Sequence, residues 1–114
     1  GAIEIGAGWV PDFLRRLDHA VAIWSRSEPR LAEFDRTPTE QAIAQLRFTP
    51  YPFEDVGRFI VDTDPRLYLF SSDYPHAEGG RDPLGRFERS LAAASVTDIE
   101  RFLAGNAADW LGVS

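Results

Sequence analysis

The chain has 114 residues, 44% of them hydrophobic and 26% charged, with a formal net charge of -6. That is the balance of one ordinary globular domain with a modest core, and its acidity, spread along the chain, argues against nucleic acid and anionic membrane as partners, because both need basic patches. The lack of cysteine excludes a disulfide framework and a thiolate zinc site and fits a reducing, cytoplasmic compartment, and no apolar run approaches the roughly 20 residues of a membrane span.

Residues 3–5 read as a short apolar strand ended by Gly6-Ala7-Gly8. A strand with no lead-in, in a chain without methionine, predicts a processed product or a piece of something longer. The N-terminal region carries no basic segment followed by an apolar one, so no signal peptide is expected. Pro11 and Asp12 suit a first helical turn. Leu14, Leu17, Val21 and Trp24 then recur at spacings of three and four, which predicts a helix with one apolar face. Residues 25–37 are charged and contain Pro29, a surface connection with one turn of helix. Pro38-Thr39-Glu40 reads as another short helical turn, and residues 43–49 as a strand stopped by Pro50 and Pro52.

Phe53, Val56, Phe59 and Ile60 mark a second helical face, and residues 62–65 a turn. Residues 67–70 form a compact apolar run of strand length, consistent with burial on both faces. Asp82-Pro83 is an N-cap followed by proline at the first helical position, with Leu84, Phe87 and Leu91 as the apolar face. Thr97 and Glu100 have the spacing of a capping box, Gly105 suits a C-cap, and residues 106–111 read as a last short helix that docks Trp110 and Leu111. Alternation of strand and helix predicts an α/β fold with a parallel sheet of right-handed crossover units. Three parallel strands alone leave two open edges. The expectation that removes this difficulty is three consecutive βα units of a closed (β/α)8 TIM barrel, followed by C-terminal helices.

The stretches EIGAGWVPDFLRRLD, LYLFSSDYPHAEGGRDP and NAADWLG, in that order, resemble the C-terminal part of the amidohydrolase family 2 proteins, which include the aminocarboxymuconate-semialdehyde decarboxylase-like enzymes. The resemblance covers nearly the whole chain. It implies that residues 1–114 are the C-terminal third of a single metal-dependent hydrolase barrel domain, with the sixth, seventh and eighth strands near Ile3, Phe48 and Leu67. It also implies a divalent metal, commonly zinc. Asp73 matches the family's metal-binding aspartate, expected to hold the metal and to take a proton from metal-bound water.

The family's His-x-His pair and its further metal-binding histidine have no counterpart, since the only histidines are His19 and His76. The resemblance therefore implies an enzyme for the full-length parent and an inactive chain by itself. The parent would act on a small organic acid or lactone by hydrolysis or nonoxidative decarboxylation. The alternative is a non-catalytic fragment or subunit that only completes a barrel or an interaction surface. The partners implied are a small-molecule substrate and either the missing N-terminal barrel part or further copies of the chain.

Several residues are candidates on their own chemistry. Asp73 follows an apolar strand, the position from which barrels place catalytic groups, with Ser71 and Ser72 able to orient it. The bland alternative is a turn-capping aspartate. His76 is a candidate to touch substrate or to orient Asp73, against the alternative of a solvated loop histidine. Trp9 is a candidate to line the pocket, with core packing as the competing role. Glu78, Gly79 and Gly80 read as a flexible rim. Glu4, a strand carboxylate, reads as paired or exposed rather than catalytic. Gly6 and Gly8 permit close approach of backbone to a ligand or serve packing. His19 reads as structural, and Arg15, Arg16, Arg86 and Arg89 as solvated helix faces.

Overall fold

A computed structural model describes residues 1–113. Helices carry the architecture: α1 (Val10–Trp24), α2 (Pro29–Ala32), α3 (Pro38–Gln45), α4 (Val56–Asp62), α5 (Pro83–Ser90), α6 (Val96–Glu100) and α7 (Asn106–Leu111). Single 3-10 turns lie at Pro65–Leu67 and Ala77–Gly79, and a π turn, Arg101–Gly105, joins α6 to α7.

The α/β expectation is overturned, and with it the three βα units of a TIM barrel. Among the described residues no strand ladder forms. Two single parallel bridges, Ala2 to Phe48 and Phe48 to Tyr68, are all that the expected strands contribute. Ala2 N–H donates to Arg47 O and Thr49 N–H to Ala2 O; Phe48 N–H donates to Leu67 O and Leu69 N–H to Phe48 O. Each segment stays extended too briefly to continue the pattern. The first turns at Glu4, whose φ is 65°. The second loses its beginning to α3, which runs on to Gln45, and at its end Pro50 has no N–H to donate. The third emerges from a 3-10 turn that includes Leu67, and its Phe70 N–H goes to Phe102 O of the π turn rather than to another strand.

The local signals explain most helix ends. α3 starts on a capping box: Thr37 Oγ1 accepts from Glu40 N–H at 3.1 Å, and the Glu40 carboxylate accepts from Thr37 N–H at 2.8 Å. Asp18 on α1 also accepts from Thr39, at 2.9 Å from the N–H and 2.7 Å from the hydroxyl. Asp82 caps α5 as expected, accepting from Gly85 N–H at 3.0 Å. The Thr97–Glu100 box does not form. Ser95 sits at the true N-cap and accepts from Asp98 N–H at 3.1 Å. Gly105 does not end a helix either, because the π turn carries the chain on to Leu111, and Gly112 with φ 67° ends it. On α1 only the first part of the expected face is covered: Val10 and Leu14 are buried, whereas Leu17 and Trp24 are exposed.

The core gathers Val10, Leu14, Phe48, Val56, Leu67, Tyr68, Phe87, Leu91 and Phe102. Phe70, Phe87 and Phe102 meet edge to face, with centroids 4.9 to 6.2 Å apart. Buried Asn106 donates from Nδ2 to Pro65 O at 2.7 Å and Tyr68 O at 2.9 Å, which ties α7 to the segment leading to Asp73. The Thr63 hydroxyl donates to Phe59 O at 2.6 Å, so at the 2.8 Å contact between them the Tyr68 hydroxyl is the donor to Thr63. Burial pushes the Tyr68 phenol up to about 12.

Candidate metal centre

Residues 67–70 are held on one side by Phe48 and on the other by Phe102 and Asn106. This delivers the following loop, with Asp73, to a fixed place. Asp73 has φ 55°, in the left-handed region that aspartate tolerates better than most residues. Its N–H donates to Ser71 Oγ at 3.3 Å, and His76 N–H donates to Asp73 O at 2.8 Å, so the loop closes around it. The Tyr74–Pro75 peptide in this loop is cis. Gly79 is buried, and a Cβ there would overlap the Ser72 carbonyl oxygen. The expected flexible rim is thus a packed clamp at Gly79, while Glu78 and Gly80 remain exposed.

The loop brings His76 beside both Asp73 and Glu4. His76 Nδ1 lies 3.5 Å from Glu4 Oε1 and 3.6 Å from Asp73 Oδ1, and one ligand atom from each of the three residues lies within 4.8 Å of the others. These separations are too long for good hydrogen bonds. They are close to the edge of about 3.4 Å expected between neighbouring ligands in a tetrahedral site with bonds of about 2.1 Å. Imidazole nitrogen and carboxylate oxygen are also the donor types that a borderline divalent cation takes. The Asp73 side chain is only 9% exposed, and its Oδ2 is buried with no hydrogen-bond partner. Burying such an oxygen unpaired is costly, and a cation or proton donor there would offset the cost.

The two non-glycine residues with positive φ among those described are Glu4 and Asp73, the two carboxylates of this group. Such conformations cost on the order of 1 kcal/mol each and persist where the surroundings hold them. Glu4 is held by Tyr51, whose hydroxyl donates to Glu4 O at 2.6 Å. The Tyr51 phenol is raised above its ordinary value, first by burial and then by the negative charges of Asp73, Glu78, Glu4 and Glu54. The local field is therefore negative. Among the described residues no arginine pairs with Glu4 or Asp73, and the ionisable partner of each is His76.

Glu54 braces the turn that follows Glu4. Its carboxylate accepts from Ala7 N–H (2.9 and 3.2 Å), Gly8 N–H (2.8 Å) and Tyr51 N–H (2.7 Å). The amides of the glycine turn are thus occupied from within the chain and form no cradle for a phosphate. Trp9 stays partly exposed, at 39%: its indole N–H donates to Gly6 O at 3.1 Å, and its ring stands edge-on to Phe13 and Phe48. His19 is exposed on α1, and Arg15, Arg16 and Arg89 pair at the surface with Asp12 and Asp82. A recess of about 560 Å³ beside α3, lined by Phe34, Arg36, Pro38 and Gln41, shares no residue with the centre.

In the sequence Glu54 passes unmarked, and Glu4 reads as a paired or exposed carboxylate rather than a member of the centre. Glu4 sits in an apolar run that mimics a strand, and nothing local marks it. Glu54 meets Ala7 and Gly8 at sequence separations of 47 and 46, a pairing that no short motif encodes.

No protein-family model matches the chain, and no curated protein does. Among solved structures, the chain is similar to the amidohydrolase map2389c from Mycobacterium avium subsp. paratuberculosis K-10. The identity is 30% and the TM-score 0.75, over 97% of this chain and 28% of that one. The chain therefore resembles a part of an amidohydrolase, as its motifs imply, and spans little more than a quarter of that protein's length.

Proposed function

We propose that the chain supplies part of the metal centre of a metal-dependent amidohydrolase, in which Glu4, Asp73 and His76 hold a divalent cation, with zinc the first candidate. The observation that carries this reading is the buried, unpartnered Oδ2 of Asp73 beside an imidazole at near-tetrahedral spacing from two carboxylates. Similarity to part of a solved amidohydrolase supports it. When bound, a divalent cation supplies Lewis acidity and lowers the pKa of a coordinated water. Asp73, held in a closed loop and mostly buried, would hold the cation through Oδ1, the oxygen 3.6 Å from His76, and would accept a proton at Oδ2, which has no hydrogen-bond partner. His76, between the two carboxylates, would supply Nδ1 as the third ligand, 3.5 Å from Glu4 Oε1 and 3.6 Å from Asp73 Oδ1.

In a full-length parent the reaction is hydrolysis or nonoxidative decarboxylation of a small organic acid or lactone, within a cytoplasmic enzyme. This chain is its C-terminal part, completed by the remainder of the parent or by further copies. The 28% coverage of the solved relative supports that incompleteness. It also favours the second reading, in which the isolated chain contributes a surface and no catalysis.

Calorimetric titration of the chain with zinc or manganese tests the centre. One weak site is expected, lost in Asp73→Asn while the helical circular dichroism stays unchanged. In a parent enzyme the same substitution is expected to lower turnover by on the order of 10² to 10⁴ through loss of the proton acceptor alone. Binding or turnover that survives Asp73→Asn intact would remove Asp73 from the centre.

A further inference from the structure

We infer that Glu54 is a positioning residue for this centre and acts on Glu4 through Tyr51, an inference that rests on the reading just given. Neither Glu54 nor Tyr51 is among the three grouped ligand residues. What they do is fix the backbone from which Glu4 projects. The Glu54 carboxylate collects three N–H groups from two separate segments: Ala7 and Gly8 ahead of α1, and Tyr51 on the turn before α4. A carboxylate at that place also meets the positive end of α1. The bond to Tyr51 N–H, at 2.7 Å, sets where the Tyr51 ring leaves the backbone.

The hydroxyl of that ring donates to Glu4 O at 2.6 Å. Holding a carbonyl fixes the peptide plane that follows Glu4, in a residue whose left-handed φ of 65° an unrestrained glutamate would leave. The Glu4 Cα–Cβ direction, and so the 3.5 Å approach of its carboxylate to His76, follows from that restraint. Gly6 is part of the same device. It has φ 67°, and a Cβ on it would come within 3.0 Å of both Glu54 Oε1 and Tyr51 Cδ2. The turn closes only with glycine there, because carboxylate and ring both press on it. Groups that orient ligands in this way typically change metal affinity by 10- to 100-fold when removed.

The test uses the whole chain in three forms: wild type, Tyr51→Phe and Glu54→Gln. Tyr51→Phe deletes one hydroxyl and leaves the Glu54 bonds in place. Glu54→Gln keeps the size and replaces one acceptor oxygen by a donor. Two quantities are read at one pH: the His76 ring resonances by NMR without metal, and zinc affinity by calorimetry. Both variants are expected to shift the His76 ring resonances and to weaken zinc by roughly tenfold or more. Variants that move only the Ala7 and Gly8 amide signals, with His76 and zinc affinity unchanged, would overturn the inference and make Glu54 a local brace. If wild type binds no zinc while His76 still responds to both variants, positioning stands and the metal reading fails.

Discussion

At the scale of single residues, the centre depends on side chains whose partners lie far away in sequence. Asn106 is the clearest case. Its amide is 1% exposed and donates to two carbonyls about 40 positions back, Pro65 O and Tyr68 O. No apolar substitute satisfies those oxygens, so Asn106→Ala is expected to cost about 2–3 kcal/mol, the penalty of buried acceptors left unpaired. Asn106→Asp should cost more at neutral pH, since a carboxylate facing two carbonyl oxygens repels them. Urea unfolding followed by tryptophan fluorescence measures both, and an unchanged midpoint in Asn106→Ala would show that the two bonds contribute nothing net. Asp73 uses the same scaffold, because the segment Asn106 pins is the one that leads into its loop.

At the scale of elements, short helices are welded by contacts that leave little tolerance. The π turn illustrates the gain. Asn106 N–H donates to Arg101 O, five residues back, and the Phe102 carbonyl accepts from Phe70 N–H at 2.9 Å. A shift in helix register thus serves the edge of the Asp73 segment, in keeping with the frequent placement of π turns near sites. The α4–α5 contact illustrates the constraint. A Cβ on Gly57 would overlap the Ser90 carbonyl oxygen at the end of α5. Gly57→Ala improves intrinsic helix propensity by about 1 kcal/mol, yet the overlap is backbone, so a net loss of about 1–3 kcal/mol is expected. A raised melting temperature for that variant would mean the two helices part at no cost.

Tyr68 joins α4 to its own segment through Thr63 and makes stability depend on alkaline pH. Its phenol titrates at about 12 when folded, against an ordinary value near 10. Below pH 10 both states keep the proton and the contribution is complete. Between pH 10 and 12 the unfolded chain releases the proton and the folded chain retains it, so stability falls, by about 2–3 kcal/mol at the upper end. Tyr68→Phe is expected to flatten this part of the stability–pH curve, and an unchanged slope would show that Tyr68 is not the responsible group.

At the scale of the whole molecule, the chain is extended and rich in surface. Its radius of gyration is 15.6 Å, with extents of 51 × 29 × 26 Å, where about 13 Å is usual for this length. Its accessible surface is 7382 Å², against about 6,300 Å² for a monomer of this mass. Ile3, Ile5, Trp24, Phe34, Phe53 and Leu111 are among the residues that leave apolar area in water. An excess of roughly 1,000 Å² is the size of a modest interface, which fits a chain that spans 28% of a solved amidohydrolase. Self-association is therefore expected, with the light-scattering mass rising above 12.8 kDa as concentration increases. A monodisperse 12.8 kDa species at high concentration would show that this surface is stable in water alone.

Much of the local chemistry was legible in the sequence, but the Thr97–Glu100 box and the Gly105 cap, equally local signals, do not form. The α1 periodicity, the Asp82-Pro83 start of α5, the turn around Pro29 and the loop holding Asp73 and His76 depend on interactions within a few residues. The amidohydrolase motifs were legible for the same reason, being contiguous. The strand expectation failed because short apolar runs such as residues 43–49 and 67–70 satisfy the pattern of a buried strand and of a helix end equally well. Which one forms depends on partners outside the run: α3 extends on its Thr37 cap, and residues 67–70 pair with Phe48 on one edge only, Phe102 and Asn106 taking the other. Glu4 and Glu54 belong to the same category. A carboxylate becomes a ligand or a brace only through what faces it, and His76 and the Ala7–Gly8 amides are brought there by tertiary packing alone.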